Sequence, residues 1–126
     1  MLEFRLPPRP ARAADAYLRL IPRTEMDIAV VGAGVSLTLD GAGTVTEAYV
    51  SLGAVAPTTL LVAAAGAALV GTKLDEKALA ACDAAARAAC NPISDKRGTV
   101  EYRTKIAGVL ARRSAQIAYD RAKARA

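Results

Sequence analysis

The fold is decided by one stretch of the chain, VSLTLDGAGTVTEAYVSL at residues 35–52. Its beginning alternates apolar and polar residues with a period of two, which predicts a half-buried strand over residues 27–40. Residues 40–43 have the composition of a tight turn, and residues 44–52 return as a second strand, so the stretch predicts an antiparallel hairpin. On the second strand the alternation assigns one face to Ala48, Val50 and Leu52 and the other to Val45, Glu47, Tyr49 and Ser51.

The sequence before the hairpin divides into two parts. Residues 1–16 are rich in Pro, Arg and Ala and show no apolar period, so we expect an interdomain linker there. A single domain is expected over residues 17–126. Residues 17–21 form a short apolar stretch that can add a third strand to the hairpin.

The sequence after the hairpin predicts three helices. The first, over residues 58–70, is apolar on nearly all sides, which implies burial. The second runs from an N-cap at Asp75 to about Cys90, and the third begins at about Thr99. The apolar stripe of the third helix comprises Tyr102, Ile106, Val109, Leu110 and Ile117. Because strands come first and helices after, the chain is expected to be α+β, with about three antiparallel strands followed by three helices packed on one face of the sheet.

The composition excludes several kinds of catalytic site. The chain has 126 residues, no His and two Cys, so His-based triads, His proton shuttles and the common His metal sites are excluded. Cys82 and Cys90 lie about 12 Å apart along a predicted helix, too far for a disulfide, and are expected to be small core residues. The remaining polar candidates, Asp27, Ser94 and Asp95, have no base to pair with a nucleophile.

The loop that contains Asp95 and Arg97 is better explained by structure than by catalysis. We expect a carboxylate that accepts backbone N–H groups, together with an Arg–carboxylate pair that braces the loop. No catalytic residue and no metal ligand is therefore assigned.

The net charge of +5 does not indicate a nucleic-acid partner. The basic residues are spread along the chain without aromatic residues between them, which favours a solvated helix surface. The longest apolar run, at residues 60–71, is far shorter than the ~20 residues of a membrane-spanning helix, and the first residues lack the pattern of a secretory signal. We expect a cytoplasmic protein with neither a nucleic-acid nor a membrane partner.

The segment VVGAGV at residues 30–35 has the glycine spacing of a dinucleotide-binding turn but lacks its context. Leu37 stands where the third glycine is needed, and the residues that follow predict a strand instead of a helix. Glycines inside a strand mark either a bulge or the close approach of another group to the backbone. Both explanations stay open from the sequence.

Three blocks of sequence resemble one known family. YLRLIPRTEMDIA at residues 17–29 looks like the opening of the C-terminal domain of molybdenum-hydroxylase flavoprotein subunits. These are the FAD-binding medium subunits of carbon monoxide dehydrogenases and the related segment of xanthine dehydrogenases. SLGAVAPT at residues 51–58 is similar to the family's link between its second strand and first helix, and NPISDKRGTVEYR at residues 91–103 resembles its proline, serine-aspartate, arginine-glycine, tyrosine-arginine signature.

The resemblance implies a role as part of an oxidoreductase. The family fold, about three antiparallel strands with three helices, agrees with the elements predicted from the residues. FAD would be the cofactor of the complete subunit, whose phosphate-binding glycine loops belong to two N-terminal domains and are absent from these residues. This domain would cover the FAD site and pack against those domains, a molybdenum large subunit and a 2Fe-2S small subunit, while electrons pass from the Mo centre via Fe–S to FAD. The chain alone is expected to be inactive and not to hold FAD.

The resemblance also implies two cofactor contacts. Arg19 takes the family position of a flavin-contacting Lys, eight residues before Asp27. Tyr17 lies where carbon monoxide dehydrogenase-like members bring a Tyr towards the isoalloxazine ring. The alternative for Tyr17 is an edge-strand aromatic residue packed on the core.

One departure from the family implies a different property. Where many relatives carry an Arg and a Glu on the first helix, this chain has Leu61 and Gly66. The loss of polar side chains implies an exposed apolar patch and self-association of the fragment, which light scattering at high concentration would test. The alternative to the flavoprotein role is a stand-alone interaction or dimerisation module without redox function.

Overall fold

The computed structural model describes residues 2–24 and 26–125. In these residues four strands form one antiparallel sheet in the order β1-β2-β3-β4, and three helices follow. The elements are, in chain order, β1 (Ala13–Leu20), β2 (Val31–Leu39), β3 (Val45–Gly53), β4 (Leu60–Leu61), α1 (Ala63–Leu69), α2 (Glu76–Ala89) and α3 (Val100–Lys123). The predicted α+β class is confirmed, and β4 is added to the three predicted strands.

The helices cover one face of the sheet. α3 packs against β1 and β2, α1 packs against β3, and α2 lies on α1 and α3. The core lies between the two layers and is filled from the sheet mainly by β2 and β3, whose inward side chains include Val35, Leu37, Val50 and Leu52. Because side chains alternate along a strand, the opposite face of the sheet carries the intervening residues. The three helices of residues 2–24 and 26–125 all pack on the first face, so none of them covers the opposite one.

β1 begins earlier than the predicted third strand. It starts at Ala13, so four residues of the segment expected to be a linker belong to the sheet. Their inward side chains, Ala14 and Ala16, are buried against the helices. The sequence prediction relied on the alternation of large apolar side chains, which alanines do not produce. The predicted strand therefore began four residues later than β1 does.

The hairpin of β2 and β3 contains a β-bulge next to its turn. Thr38 pairs with Glu47 but Leu39 pairs with Val45, so one extra residue is inserted in β3. The insertion reverses the side-chain alternation, and Val45 is buried although the sequence assigned it to the other face. The turn itself is held by Asp40, whose Oδ1 accepts the backbone N–H groups of Ala42 (2.9 Å) and Thr44 (2.8 Å).

α1 is shorter than predicted and is not buried on all sides. The segment predicted to be its first turn forms β4, in which Leu61 pairs with Ser51 of β3. Of its seven residues only Ala65, Gly66 and Leu69 are buried. Gly66 faces the backbone of β3, so the implied surface patch is wrong at Gly66, whereas Leu61 is 67% exposed.

The N-termini of α2 and α3 both have a side-chain cap. The cap of α2 at Asp75 was predicted from the sequence. Asp75 accepts the N–H of Ala78 (2.8 Å), and Thr99 accepts that of Tyr102 (3.1 Å). The buried face of α3 differs from the predicted stripe, of which only Leu110 is buried. The face against the sheet consists mainly of alanines: Ala107, Ala111, Ala115, Ala118 and Ala122. Small residues let the helix lie close to the strands, where Ser114 donates a hydrogen bond to the carbonyl of Ala33 (3.1 Å).

Both cysteines are free thiols, Cys82 buried and Cys90 half-buried. Burial raises the pKa of Cys82 to about 11, as expected for a packed thiol without a reactive role. In the described part of the chain no helix is both long and apolar enough to cross a membrane.

Candidate functional site

The face of the sheet that the helices leave uncovered carries both candidate cofactor contacts. We call it the outer sheet face and define it by Asp15, Tyr17, Arg19, Gly32, Gly34, Ser36, Tyr49, Ser51 and Leu61. Tyr17 pairs with Gly34, and Arg19 pairs with Gly32. Two residues apart on one strand, their side chains leave the same face with their Cα atoms about 7 Å apart. The structure therefore brings Tyr17 and Arg19 together.

Tyr17 lies on the outside of the sheet instead of packing on the core. Its residue is 63% exposed, so the alternative of a core aromatic is wrong, although β1 is an edge strand. The ring lies along the neighbouring strand, with its hydroxyl beside Gly32 and Cδ2 beside Gly34. Arg19 is exposed next to it.

A slot of about 310 Å³ lies between Tyr17 and Tyr49 on this face. Gly34 and Ser51 are among the residues that line it, and Leu61 of β4 lines its far side. The Tyr49 hydroxyl donates to Oε1 of Glu47 (2.7 Å), and this hydrogen bond raises the pKa of Tyr49. Tyr49 was not among the predicted site residues, although the alternation on the second strand had placed it on the face that turns out to be uncovered.

A second and larger cavity, about 550 Å³, lies at one end of the sheet. All of its lining residues come from the three sequence blocks at residues 17–29, 51–58 and 91–103. The fold thus gathers the three blocks around one place. We call it the loop end of the domain.

Arg103 of the third block connects it, at the loop end, with Ala54 of the second block and with Val30, which directly follows the first block. Arg103 is only 4% exposed. Its Nη1 donates to the carbonyls of Val30 (2.7 Å) and Ala54 (3.5 Å), and its Nη2 donates to Oδ1 of Asp95 (2.7 Å). The predicted Arg–carboxylate pair at Asp95 is confirmed, and its arginine comes from α3 instead of from the loop.

The polar side chains considered for catalysis all have structural partners. Asp95 Oδ1 also accepts the backbone N–H of Arg97 (2.8 Å), and Ser94 Oγ accepts that of Val100 (3.0 Å). Asp27 accepts the N–H of Ile28 (2.8 Å), and its side chain is nearly buried beside Arg97. Within residues 2–24 and 26–125 no three His, Cys, Asp or Glu side chains are grouped so as to hold a metal ion.

Asp95 is expected to make the stability of the fold depend on pH in the acid range. The hydrogen bond from Arg103, followed by that from the N–H of Arg97, holds the pKa of Asp95 below its ordinary value of 3.8. A carboxyl with a lowered pKa in the folded state stabilises the fold above the pKa of the unfolded chain, and this contribution is lost as the pH falls through the folded value.

We therefore expect Asp95→Asn to reduce the loss of stability on acidification. Thermal unfolding followed by circular dichroism between pH 7 and about pH 3 should show a smaller fall in Tm for the variant than for the unmodified chain. The variant will be less stable at pH 7, because a neutral amide forms a weaker hydrogen bond with the guanidinium. Equal falls in Tm for the two proteins would contradict the assignment.

Comparison with known proteins matches the chain to one domain family of flavoproteins. Residues 16–118 match the family described as the CO dehydrogenase flavoprotein C-terminal domain. The carbon monoxide dehydrogenase medium chain of Afipia carboxidovorans is 47% identical over 123 residues, which are 98% of this chain and 41% of that protein. The chain thus spans about two fifths of the length of this relative.

Two solved structures share the fold. Carbon monoxide dehydrogenase from Hydrogenophaga pseudoflava, in a form that lacks the Mo-pyranopterin moiety of the molybdenum cofactor, superposes with a TM-score of 0.86 at 36% identity over 92% of this chain and 40% of that one. Quinoline 2-oxidoreductase from Pseudomonas putida 86 gives a TM-score of 0.81 at 27% identity over 87% of this chain and 38% of that one. Sequence and structure agree that the chain belongs to the CO dehydrogenase flavoprotein C-terminal domain family.

Proposed function

We propose that the chain is the C-terminal domain of the FAD-binding medium subunit of a molybdenum hydroxylase of the carbon monoxide dehydrogenase type, and that its outer sheet face covers the flavin. The observation that carries the proposal is the position of Tyr17 and Arg19, side by side on the face of the sheet that none of the described helices covers. Curated relatives of the chain are medium chains of carbon monoxide dehydrogenase.

The outer sheet face fits one part of FAD and not another. An exposed tyrosine ring, an open slot and a guanidinium suit the planar isoalloxazine ring, since arginine and tyrosine both pack well on aromatic faces. The pyrophosphate needs a glycine turn at a helix N-terminus, and here Gly32 and Gly34 lie inside β2. The phosphates must therefore be held by other domains, and we expect the isolated chain to retain negligible FAD.

In this proposal the chain contributes packing and charge. FAD, when bound, accepts and passes on electrons. Tyr17 contacts one side of the ring system and excludes water from it, while Arg19 places a fixed positive charge beside it. The electron route from a Mo centre through 2Fe-2S clusters to FAD, and the docking of the corresponding large and small subunits, belong to the same proposal.

The proposal can be tested by building this chain into a relative. We would replace the matched C-terminal part of the Afipia carboxidovorans medium chain by these 126 residues and measure FAD content and flavin fluorescence of the chimera. Arg19→Ala is expected to weaken FAD retention about tenfold, the loss of one charge-assisted contact. Tyr17→Ala should raise the fluorescence of the bound flavin, because a stacked tyrosine quenches it.

Two surface variants serve as controls. Arg113→Ala removes an exposed arginine of α3, and Tyr102→Ala removes a half-exposed tyrosine near its start; neither lies on the outer sheet face, so both should match the unmodified chimera. Two results would support the alternative of an interaction module without redox function. One is a chimera that folds but does not retain FAD; the other is a chimera in which neither substitution on β1 changes FAD content or flavin fluorescence.

A further inference from the structure

The glycines of the VVGAGV segment have a structural reason that the sequence left open. Neither Gly32 nor Gly34 has a positive φ; among the described glycines only Gly43 and Gly71 do. The pairing of β2 with β1 and β3 runs without a shift through both positions, so neither marks a bulge. The remaining explanation for a glycine inside a strand is the close approach of another group.

That group is the ring of Tyr17. A Cβ placed on Gly32 would lie 2.6 Å from the Tyr17 hydroxyl oxygen and 3.2 Å from both Cε2 and Cζ. A Cβ on Gly34 would lie 3.7 Å from Cδ2 of the same ring and 2.9 Å from Oγ of Ser51. The tyrosine therefore occupies the space above β2 that a side chain at position 32 would need. Gly32 is buried under it although it lies on the uncovered face.

We propose that Gly32 is a positioning residue for Tyr17: the missing side chain lets the ring rest against the backbone of β2, which fixes the ring surface that meets the isoalloxazine of FAD. The part of this inference that concerns the flavin rests on the function proposed above. Any side chain at position 32 pushes the ring outward and rotates it, because the ring is the movable partner and the strand is not. Tyr17 then stands in the space that the cofactor needs.

The resting place of the ring can be tested on the isolated chain without cofactor. An aromatic ring shifts the resonances of protons that lie over its face or beside its edge, so the Hα protons of Gly32 and Gly34 should carry ring-current shifts that disappear in Tyr17→Leu. In Gly32→Ala the shift at Gly34 is expected to be lost or strongly reduced. An unchanged shift at Gly34 in this variant overturns the proposal.

The matched control is Gly53→Ala. Gly53 pairs with Gly32 on the neighbouring strand, and a Cβ there would meet nothing within 4 Å. Gly53→Ala therefore makes the same substitution in the same row of the sheet, at a position that does not contact the Tyr17 ring. Gly53→Ala should leave the shift at Gly34 in place; if it abolishes the shift as Gly32→Ala does, the effect comes from the strands and the positioning role is wrong.

The effect of Gly32 on the bound flavin can be measured in the chimera. Gly32→Ala should change the fluorescence of bound FAD when Tyr17 is present, and adding it to Tyr17→Ala should have no further effect. If Tyr17→Ala alters the flavin signal and Gly32→Ala does not, the positioning role is overturned. If neither alters it, the flavin contact of the proposed function has failed, and the ring shifts of the isolated chain still decide whether Gly32 places the ring.

Discussion

Replacement of Arg103 by methionine is expected to lower the free energy of unfolding by about 3 kcal/mol, a fall in Tm of roughly 10 °C for a domain of this size. Methionine keeps most of the buried stem and removes the guanidinium. The carbonyl of Val30, a residue that is only 2% exposed, then loses its donor. The carbonyl of Ala54 loses a longer hydrogen bond beside the cavity at the loop end. Asp95 is partly exposed and regains water, so most of the loss should come from the buried carbonyl of Val30 and from the loops that Arg103 holds together.

The comparison that isolates this effect is Arg113→Met on the same helix. Arg113 is exposed, and its loss should change stability by no more than about 0.5 kcal/mol. Arg103→Lys should fall between the two, because a single ammonium cannot reproduce the planar fork that reaches three acceptors. Urea unfolding followed by circular dichroism measures all three. If Arg103→Met were as stable as Arg113→Met, the guanidinium would not hold the loop end together.

The hairpin was predictable because its chemistry is local. Alternation over residues 35–39 and an Asp-Gly turn are read within a dozen residues, and the structure confirms both. The bulge at Thr38 was not predictable in the same way. One inserted residue leaves the composition of β3 unchanged, and the burial of Val45 depends on which partner it meets on β2.

The buried face of α3 shows a different limit. Large apolar side chains suggested the stripe through Ile106 and Ile117, which are only partly buried, whereas the buried face of α3 consists mainly of alanines. Methyl groups carry little weight in an apolar period, yet they permit the short distance between layers. Arg103 continues the row of Ala107, Ala111 and Ala115 at intervals of four residues. A basic residue at the end of such a row was the one sequence signal for a buried arginine.

Prediction of the candidate site needed both the sequence and the three-dimensional packing. The positions of Arg19 and Tyr17 came from the resemblance, and the alternation of β1 puts them on a common face. Which face lacks helices depends on how the layers pack, and so does the contact of Tyr17 with Gly32. A glycine inside a strand therefore indicated the close approach of another group, but the identity of that group, Tyr17, depends on the packing of side chains across the sheet.

Substitution of Gly66 by alanine is expected to destabilise the domain, against the usual trend for helices. Alanine is favoured over glycine inside a helix by about 1 kcal/mol. A Cβ on Gly66, however, would lie 2.5 Å from the backbone carbonyl oxygen of Ala48. Ala48 is paired with Leu37 in the centre of the sheet, so its carbonyl cannot rotate away and α1 must move outward. Overpacking costs up to about 3 kcal/mol, which leaves a net loss of about 2 kcal/mol.

Gly108 provides the matched substitution, because it is also a buried helical glycine. A Cβ there would meet the ends of the Asp83 and Arg87 side chains, which form a partly exposed ion pair. These ends can turn aside, and the pair is worth at most about 1 kcal/mol, so the gain in helix propensity roughly offsets its loss. Thermal unfolding should therefore show Gly108→Ala near the unmodified chain and Gly66→Ala roughly 7 °C below it. If the two variants have the same Tm, α1 can move away from β3 at little cost. The close packing of α1 on the sheet would then not require glycine at position 66.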